Sequence, residues 1–269
     1  MGAFSSESRI FAPRHVLGWV LFTLSAGFVN AGALAACKNF VTHITGNVTN
    51  IAAEPAFTTS FFLVVAAFIG GGILAIVVAE SAKTKPKLAF ALPVLLASLV
   101  LFGVATAGRT GLFGPFGEGD DVNPRAFTLL VVLAAAMGMV NASVAVATDN
   151  QIRITHLTGP ATDLAGNIVR AALGTGKGTR TELRWAFVRV AKFTAFAVGA
   201  GIAAKLSSKL QFDAFAVAGG TLALALGCTA APEPVEAPQP EAEGAFPVRY
   251  EDAMPPFPPP KGREREEER

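Results

Sequence analysis

Two short stretches of this 269-residue chain gather side chains that can bind a solute or move a proton within an otherwise apolar sequence. They are Thr42-His43-Ile44-Thr45-Gly46-Asn47 and Thr155-His156-Leu157-Thr158-Gly159-Pro160. Each places an imidazole, which titrates near neutral pH, two residues before a Thr-Gly pair. Thr158-Gly159-Pro160 reads as a helix start: Thr or Gly caps, and Pro160 takes the first position, where its missing N–H costs nothing. That helix is expected to stop at Gly174, a good C-cap. Thr45-Gly46-Asn47 opens a shorter helix that ends near Glu54-Pro55. Helix starts present free N–H groups and the positive end of a dipole, which suits an anion or a polar head group.

Further polar residues surround the motifs. Asn30 and Asn141 lie inside apolar runs, where an unpaired amide is costly, so both should face the protein interior. They serve there either as a helix–helix clasp or as the lining of a site. Asp163 stands where the first copy has Asn50, and either caps the helix it begins or titrates in a cavity. Arg189 and Lys192 share one face of a later run; Arg189 is expected to snorkel to the interface. Lys192 either snorkels as well, offers its charge to a cavity, or pairs with Asp163. The candidate binding set is therefore Asn30, His43, Thr45, Gly46 and Asn47, then Asn141, Arg153, Thr155, His156, Thr158, Gly159 and Asp163, with Lys192.

No catalytic set is expected. Neither a nucleophile motif nor a paired carboxylate accompanies the histidines, and two histidines alone make a poor metal site. Cys37 and Cys228 read as small apolar residues, and no cofactor is expected.

The elements that position these groups follow from composition. Hydrophobic residues make up 52% of the chain and charged ones 16%, with mean hydropathy +0.48. Soluble chains of this length carry more charge, and the apolar runs are long enough to cross about 30 Å of hydrocarbon. The net charge of +2 is too small to argue for nucleic acid. Six spans are expected: His15 to Cys37, Thr58 to Ala79, Leu88 to Gly108, Ala126 to Thr148, Trp185 to Ala204 and Phe212 to Ala231. Residues 1–13 read as a short polar tail. Residues 232–269, with 10 Pro, read as a solvated, disordered tail, although Pro255-Pro256-Phe257 could dock in an aromatic groove. Leu34-Ala35-Ala36-Cys37 imitates a lipoprotein signal, but the run before it is long for one and carries Asn30.

Placing the N-terminus inside puts fifteen Lys and Arg in cytoplasmic segments against five outside, and both termini in the cytoplasm. The chain also repeats itself. Gly27-Phe28-Val29-Asn30-Ala31 matches Gly138-Met139-Val140-Asn141-Ala142, the two His motifs match, and Gly70 to Ala75 matches Gly199 to Ala204. Three spans per copy force opposite orientations, the inverted-repeat plan of many transporters.

At these residues the chain resembles the YoaK-like family, bacterial six-span membrane proteins of unknown function. The resemblance covers about residues 14–231 and rests on Gly27 to Ala31, His43 to Asn47, Asn141-Ala142 and the series Arg153, Thr155, Thr158, Gly159, Thr162, Asp163, Leu164. Asn30 stands where many members carry Asp, and Val140 where they often carry Gln. The resemblance implies the architecture and the membrane, and no substrate.

The expectation is thus an all-α integral membrane protein of the bacterial cytoplasmic membrane. Its six transmembrane helices form two inverted three-helix repeats, about residues 14–108 and 126–231, with short or broken helices after spans one and four. It reads as a small-solute transporter or channel, with an anion among the candidate solutes, and as no enzyme. The alternatives are a non-transporting scaffold or sensor and, behind it, a membrane enzyme. Expected partners are the lipid bilayer, an unidentified small solute and further copies of the chain in a homo-oligomer.

Overall fold

A computed structural model describes residues 3–53, 58–118 and 124–230. Among the described residues all regular structure is helical. In chain order the helices are α1 (Glu7–Ile10), α2 (Pro13–Cys37), α3 (Ile44–Ala53), α4 (Thr58–Ser81), α5 (Pro86–Arg109), α6 (Pro124–Ala147), α7 (Thr158–Leu173), α8 (Thr179–Leu210) and α9 (Ala214–Ala230). Prolines open three of them, Pro13, Pro86 and Pro124, at the position where a missing N–H is harmless. Lys38, in the left-handed region at φ 60°, ends α2 and donates its N–H to the Leu34 carbonyl.

Five apolar helical stretches are long enough to cross a bilayer. The fifth, Thr179–Thr229, is 51 residues long and is broken at Gln211–Asp213, where Gln211 takes φ 50° and a 3₁₀ turn separates α8 from α9.

The innermost helices are α2 and α6, with Trp19, Phe22, Phe28, Leu129, Leu133 and Met137 fully buried. The outer helices turn large apolar side chains outward: Phe62, Ile69, Ile73 and Val77 on α4, Leu92, Leu95 and Leu99 on α5, Phe187 and Val198 on α8. Such a belt would be unstable against water and suits hydrocarbon.

Lipid supplies no hydrophobic drive between helices, so close contact must. Gly27 on α2 lies against the Phe196 backbone of α8, and Gly199 on α8 lies against the Leu24 backbone of α2. The same exchange joins α4 to α6, where Gly71 meets Ala135 and Gly138 meets Phe68. A Cβ at any of the four would run into a carbonyl oxygen. The register differs by one from the sequence match: Gly71, not Gly70, does what Gly199 does, and a Cβ at Gly70 would meet nothing. Polar ties finish the bundle. Ser25 and Ser98 hydroxyls donate to the α9 carbonyls of Ala218 (3.0 Å) and Gly219 (2.8 Å). Cys37 is buried and its thiol donates to the Ala126 carbonyl at 3.5 Å.

The N-terminal segment does more than a polar tail would. Phe4 is buried with its ring edge-on to His15, Trp19 and Phe90, and its N–H donates to the Ala147 carbonyl at 2.8 Å. Trp19 Nε1 donates to the Ile10 carbonyl. Residues 232–269, including the Pro-rich motif, lie outside the described residues, as do Glu54-Pro55 and the acidic pair Asp120-Asp121.

Candidate functional site: a cavity between the two His-Thr-Gly segments

Both motif segments fold back alongside the helix they follow. Asn30 sits seven residues before the end of α2, about 10 Å along the axis. Its Oδ1 accepts the Thr42 N–H at 3.1 Å, so the chain re-enters to that depth. Asn141, six residues before the end of α6, accepts from Ile154 N–H (3.1 Å) and Thr155 N–H (3.3 Å). Asp149 and Asn150, both at positive φ, make the reversal after α6; their short polar side chains tolerate it. The Thr148 hydroxyl then accepts the Ile152 N–H at 3.1 Å. Each unwound strand would otherwise leave buried backbone N–H groups without partners.

The His-x-x-Gly spacing has a steric reason. The His43 ring lies over Gly46, where a Cβ would strike it, and the His156 ring lies 3.6 Å from a Cβ built at Gly159. The helix starts differ slightly from expectation. His43 O accepts the Asn47 N–H at 2.9 Å at the start of α3. Thr158 opens α7 after Leu157, which provides no side-chain cap. Pro160 is therefore the third helical residue, still within the first turn, where no intrahelical partner is lost. Gly174 ends α7 at φ 66°, as the sequence indicates.

The two segments meet around one cavity of ≈ 760 Å³. From the candidate set, Asn30, His43 and Thr45 border it on one side, and Asn141, Arg153, Thr155, His156 and Thr158 on the other. Because Oδ1 of each asparagine is taken by backbone N–H donors, the amide NH₂ is the group each can offer the cavity. Among the described residues no acidic side chain borders it. Phe68 and Phe196 complete the wall and escaped the sequence analysis. The signal was present as Phe-x-x-Gly at Phe68/Gly71 and Phe196/Gly199.

The remaining candidates lie elsewhere. Gly46 and Gly159 make room for the histidines. Asn47 is buried and donates from Nδ2 to the Phe40 carbonyl at 3.3 Å. Lys192 neither snorkels nor pairs with Asp163. It is buried, and its ammonium donates to the Arg153 carbonyl, which the unwound segment leaves without a helical partner. Asp163 pairs with Arg189 at 3.2 Å. Arg189 also donates to Asn167 and lies over the Trp185 ring at 5.3 Å, so it is tied inward rather than reaching for the interface.

These residues belong to a second, charged cluster between α7 and α8. Glu182 is buried at its centre and accepts from Asn167 Nδ2, from Arg170 Nε at 3.1 Å and from the Lys177 N–H at 3.2 Å. Lys177 in turn pairs with Glu7 of α1, and Trp185 Nε1 donates to the same carboxylate. Nothing in the sequence alone joined Glu182 or Glu7 to the second motif.

An all-helical bundle with several membrane-length apolar helices, and with polar segments folded back between them, is a multi-pass membrane protein. The chain belongs to the family described as protein of unknown function (DUF1275), which matches residues 18–228. No curated protein and no solved structure matches the chain.

Proposed function

We propose that the protein is a transporter or channel for a small anion, and that the cavity between the two motifs is its binding site. One observation carries this reading: both His-Thr-Gly segments, more than a hundred residues apart, border the same cavity. What they bring is almost all donor. The asparagine amides, the histidines, the Thr45, Thr155 and Thr158 hydroxyls and the Arg153 guanidinium border it, with no carboxylate among the described residues. The starts of α3 and α7 add backbone N–H groups and positive dipole ends. Lys192 stands behind the Arg153 carbonyl and adds a cation close by. The histidines serve binding or proton exchange here, not catalysis.

The architecture that fits this site has six crossings in two inverted halves, with α8 and α9 counted as separate spans. Ring contact between Phe11 and Trp185 sets the starts of α2 and α8 at one end, while Cys37 meets Ala126 at the other. On that reading α2 and α6 run in opposite directions and the motifs enter from opposite faces. The reciprocal contacts of Gly27 with Phe196 and of Gly138 with Phe68 support it, as does the shared asparagine clasp. Inverted halves with a site at their junction are a common transporter plan. The positive-inside bias favours a bacterial cytoplasmic membrane with the N-terminus inside, and the likeness to YoaK-like proteins is consistent with it. A homo-oligomer is part of the same proposal.

The test is thermal stabilisation of the detergent-purified protein across small anions, cations and neutral metabolites. At least one anion should raise the unfolding midpoint, and Arg153→Gln and His156→Ala should each reduce that rise. Asp163→Asn should keep it, because Asp163 lies on the charged cluster. A panel in which only cations or neutral solutes stabilise would sink the anion reading.

A further inference from the structure

A second cavity, ≈ 1050 Å³, shares no lining residue with the first and lies between the α1–α2 elbow and the first turns of α8. One wall is Arg180, Leu183, Arg184 and Phe187, spaced to share a helix face; the other runs from Ser8 and Phe11 to Val16. The two walls run in the same direction, because Phe11 packs edge-on against Trp185 at 4.8 Å and, further along the same two helices, Gly27 meets the Phe196 backbone; Arg184 sits over the Phe11 ring at 5.9 Å. Both change character together along that direction. The hydroxyl of Ser8 and the two guanidinium groups mark one end, while Val16 and Phe187 mark the other. Arg180 and Phe187 are about 10 Å apart along α8.

Neither arginine has an acidic partner among the described residues. The carboxylates on the same elements are already engaged, Glu7 by Lys177 and Glu182 by Arg170 and Asn167. Leu183 and Phe187 are 54% and 64% exposed, so the apolar end opens outward to the bilayer. A groove that is cationic at one end and apolar at the other, opening on hydrocarbon, has the polarity of one lipid molecule.

We propose that this groove binds an anionic phospholipid, with its phosphate between Arg180 and Arg184 and an acyl chain along Leu183, Phe187 and Val16. A soluble phosphate would use the arginines but gain nothing from the apolar run. The proposal is independent of what the central cavity carries.

The experiment compares phosphatidylglycerol, phosphatidylcholine of the same chains and glycerol 3-phosphate, added to the full-length protein in neutral detergent. Binding is read by native mass spectrometry and by the thermal midpoint. Phosphatidylglycerol should bind more tightly and stabilise more than phosphatidylcholine, and glycerol 3-phosphate should do neither. The Arg180→Gln/Arg184→Gln variant should lose about 30-fold in phosphatidylglycerol affinity, since a basic residue near an anionic lipid is worth about 5-fold. If that variant fails to fold, Arg180→Gln alone should show the single 5-fold loss, because the Arg180 side chain holds nothing else in place. Equal binding of the two lipids overturns the proposal. So does a preference that survives the substitutions, or a glycerol 3-phosphate effect as large as the lipid's.

Discussion

The two segments that border the central cavity are clasped alike and anchored differently. In both, an asparagine on the preceding helix accepts backbone N–H groups from the returning chain, a histidine lies over a glycine, and a helix starts at the cavity. Beyond that the likeness fails. α3 has 10 residues and no ion pair among the described residues; Asn47 donates to the Phe40 carbonyl of the segment before it. α7 has 16 residues and is fastened to α8 through Asp163, Asn167 and Arg170, with Glu182 buried among them. Lys192 adds a tie to the segment before α7. A buried polar network that satisfies its members holds one arrangement against alternatives. The comparison teaches that the shape of the cavity comes from the shared small and polar residues, while rigidity comes from charges that only the second segment carries among the described residues. Among the described residues, charges tie one wall and not the other.

The largest expected effect tests the part the halves share. Gly27→Val and Gly138→Val each push a side chain into a backbone carbonyl of the facing helix, which cannot yield as a side chain would. Each should cost about 3 kcal/mol, at the upper end for overpacking. Gly70→Ala, with open space around it, should change stability by less than about 1 kcal/mol, in the favourable direction for a helix interior. Unfolding in mixed detergent measures all three. A mild Gly27→Val beside a severe Gly138→Val would break the equivalence of the two crossings.

The next effect tests the difference. Glu182→Leu removes the acceptor of Arg170, Asn167 and the Lys177 N–H at once, leaving three donors without their partner. Amide hydrogen exchange should then quicken across residues 158–173 and stay unchanged across 44–53. Equal quickening of both segments would show that the walls are coupled, contrary to the comparison.

Most of this arrangement was legible in the sequence, and the limits have physical causes. Span positions follow from apolar runs with prolines and glycines at their ends, which are local signals. The two motifs could be paired because the same Thr-His-x-Thr-Gly pattern recurs, each time after a matching Gly-x-x-Asn-Ala patch. From the sequence, Arg189 is expected to snorkel, the default for a long cation near a helix end, and for Lys192 snorkelling is one of three readings, none of which names the Arg153 carbonyl. What overrode it was distant in sequence: the Arg153 carbonyl lies 39 residues away and Asp163 lies 26 away. The one-residue error in matching Gly70 arose because three consecutive glycines offer three registers, and only contact with Ala135 distinguishes Gly71. Phe4 and Ile10 were hidden in a polar segment too short to show periodicity.

A smaller effect sharpens the clasp. Asn141→Leu frees two backbone N–H groups and Asn30→Leu frees one. Both should destabilise by about 1–2 kcal/mol, the lower part of the range for a buried group left unpaired, since each clasp rests on one amide oxygen, and the first more than the second. Asn30→Asp should keep the acceptor and so retain more stability than Asn30→Leu. Thermal midpoints of the three variants order them. A ranking with Asn30→Leu worst would place more weight on the first segment than its single bond supports.

The smallest expected effect lies at the far end of the charged cluster, where the first segment has no counterpart among the described residues. The Lys177 ammonium donates to Glu7 and holds its carboxyl below the usual glutamate range, with Trp185 Nε1 adding a second donor. A carboxylate whose pKa is lowered on folding contributes stability that is present above its unfolded value, about 4.3, and is lost as the pH falls through the folded value. The parent should therefore lose thermal stability on acidification from neutral pH to below the ordinary glutamate range more steeply than Glu7→Gln. The gap should close once Glu7 is protonated in both states. The pair is partly exposed, so solvent screening keeps its contribution under about 1 kcal/mol. Lys177→Met should reproduce the shallower profile, since either partner suffices to break the tie. If both substitutions leave the acid profile unchanged, the anchoring of the second segment ends at Glu182, and α1 is held to the bundle by packing such as that of Phe4, Ile10 and Phe11 rather than by the ion pair.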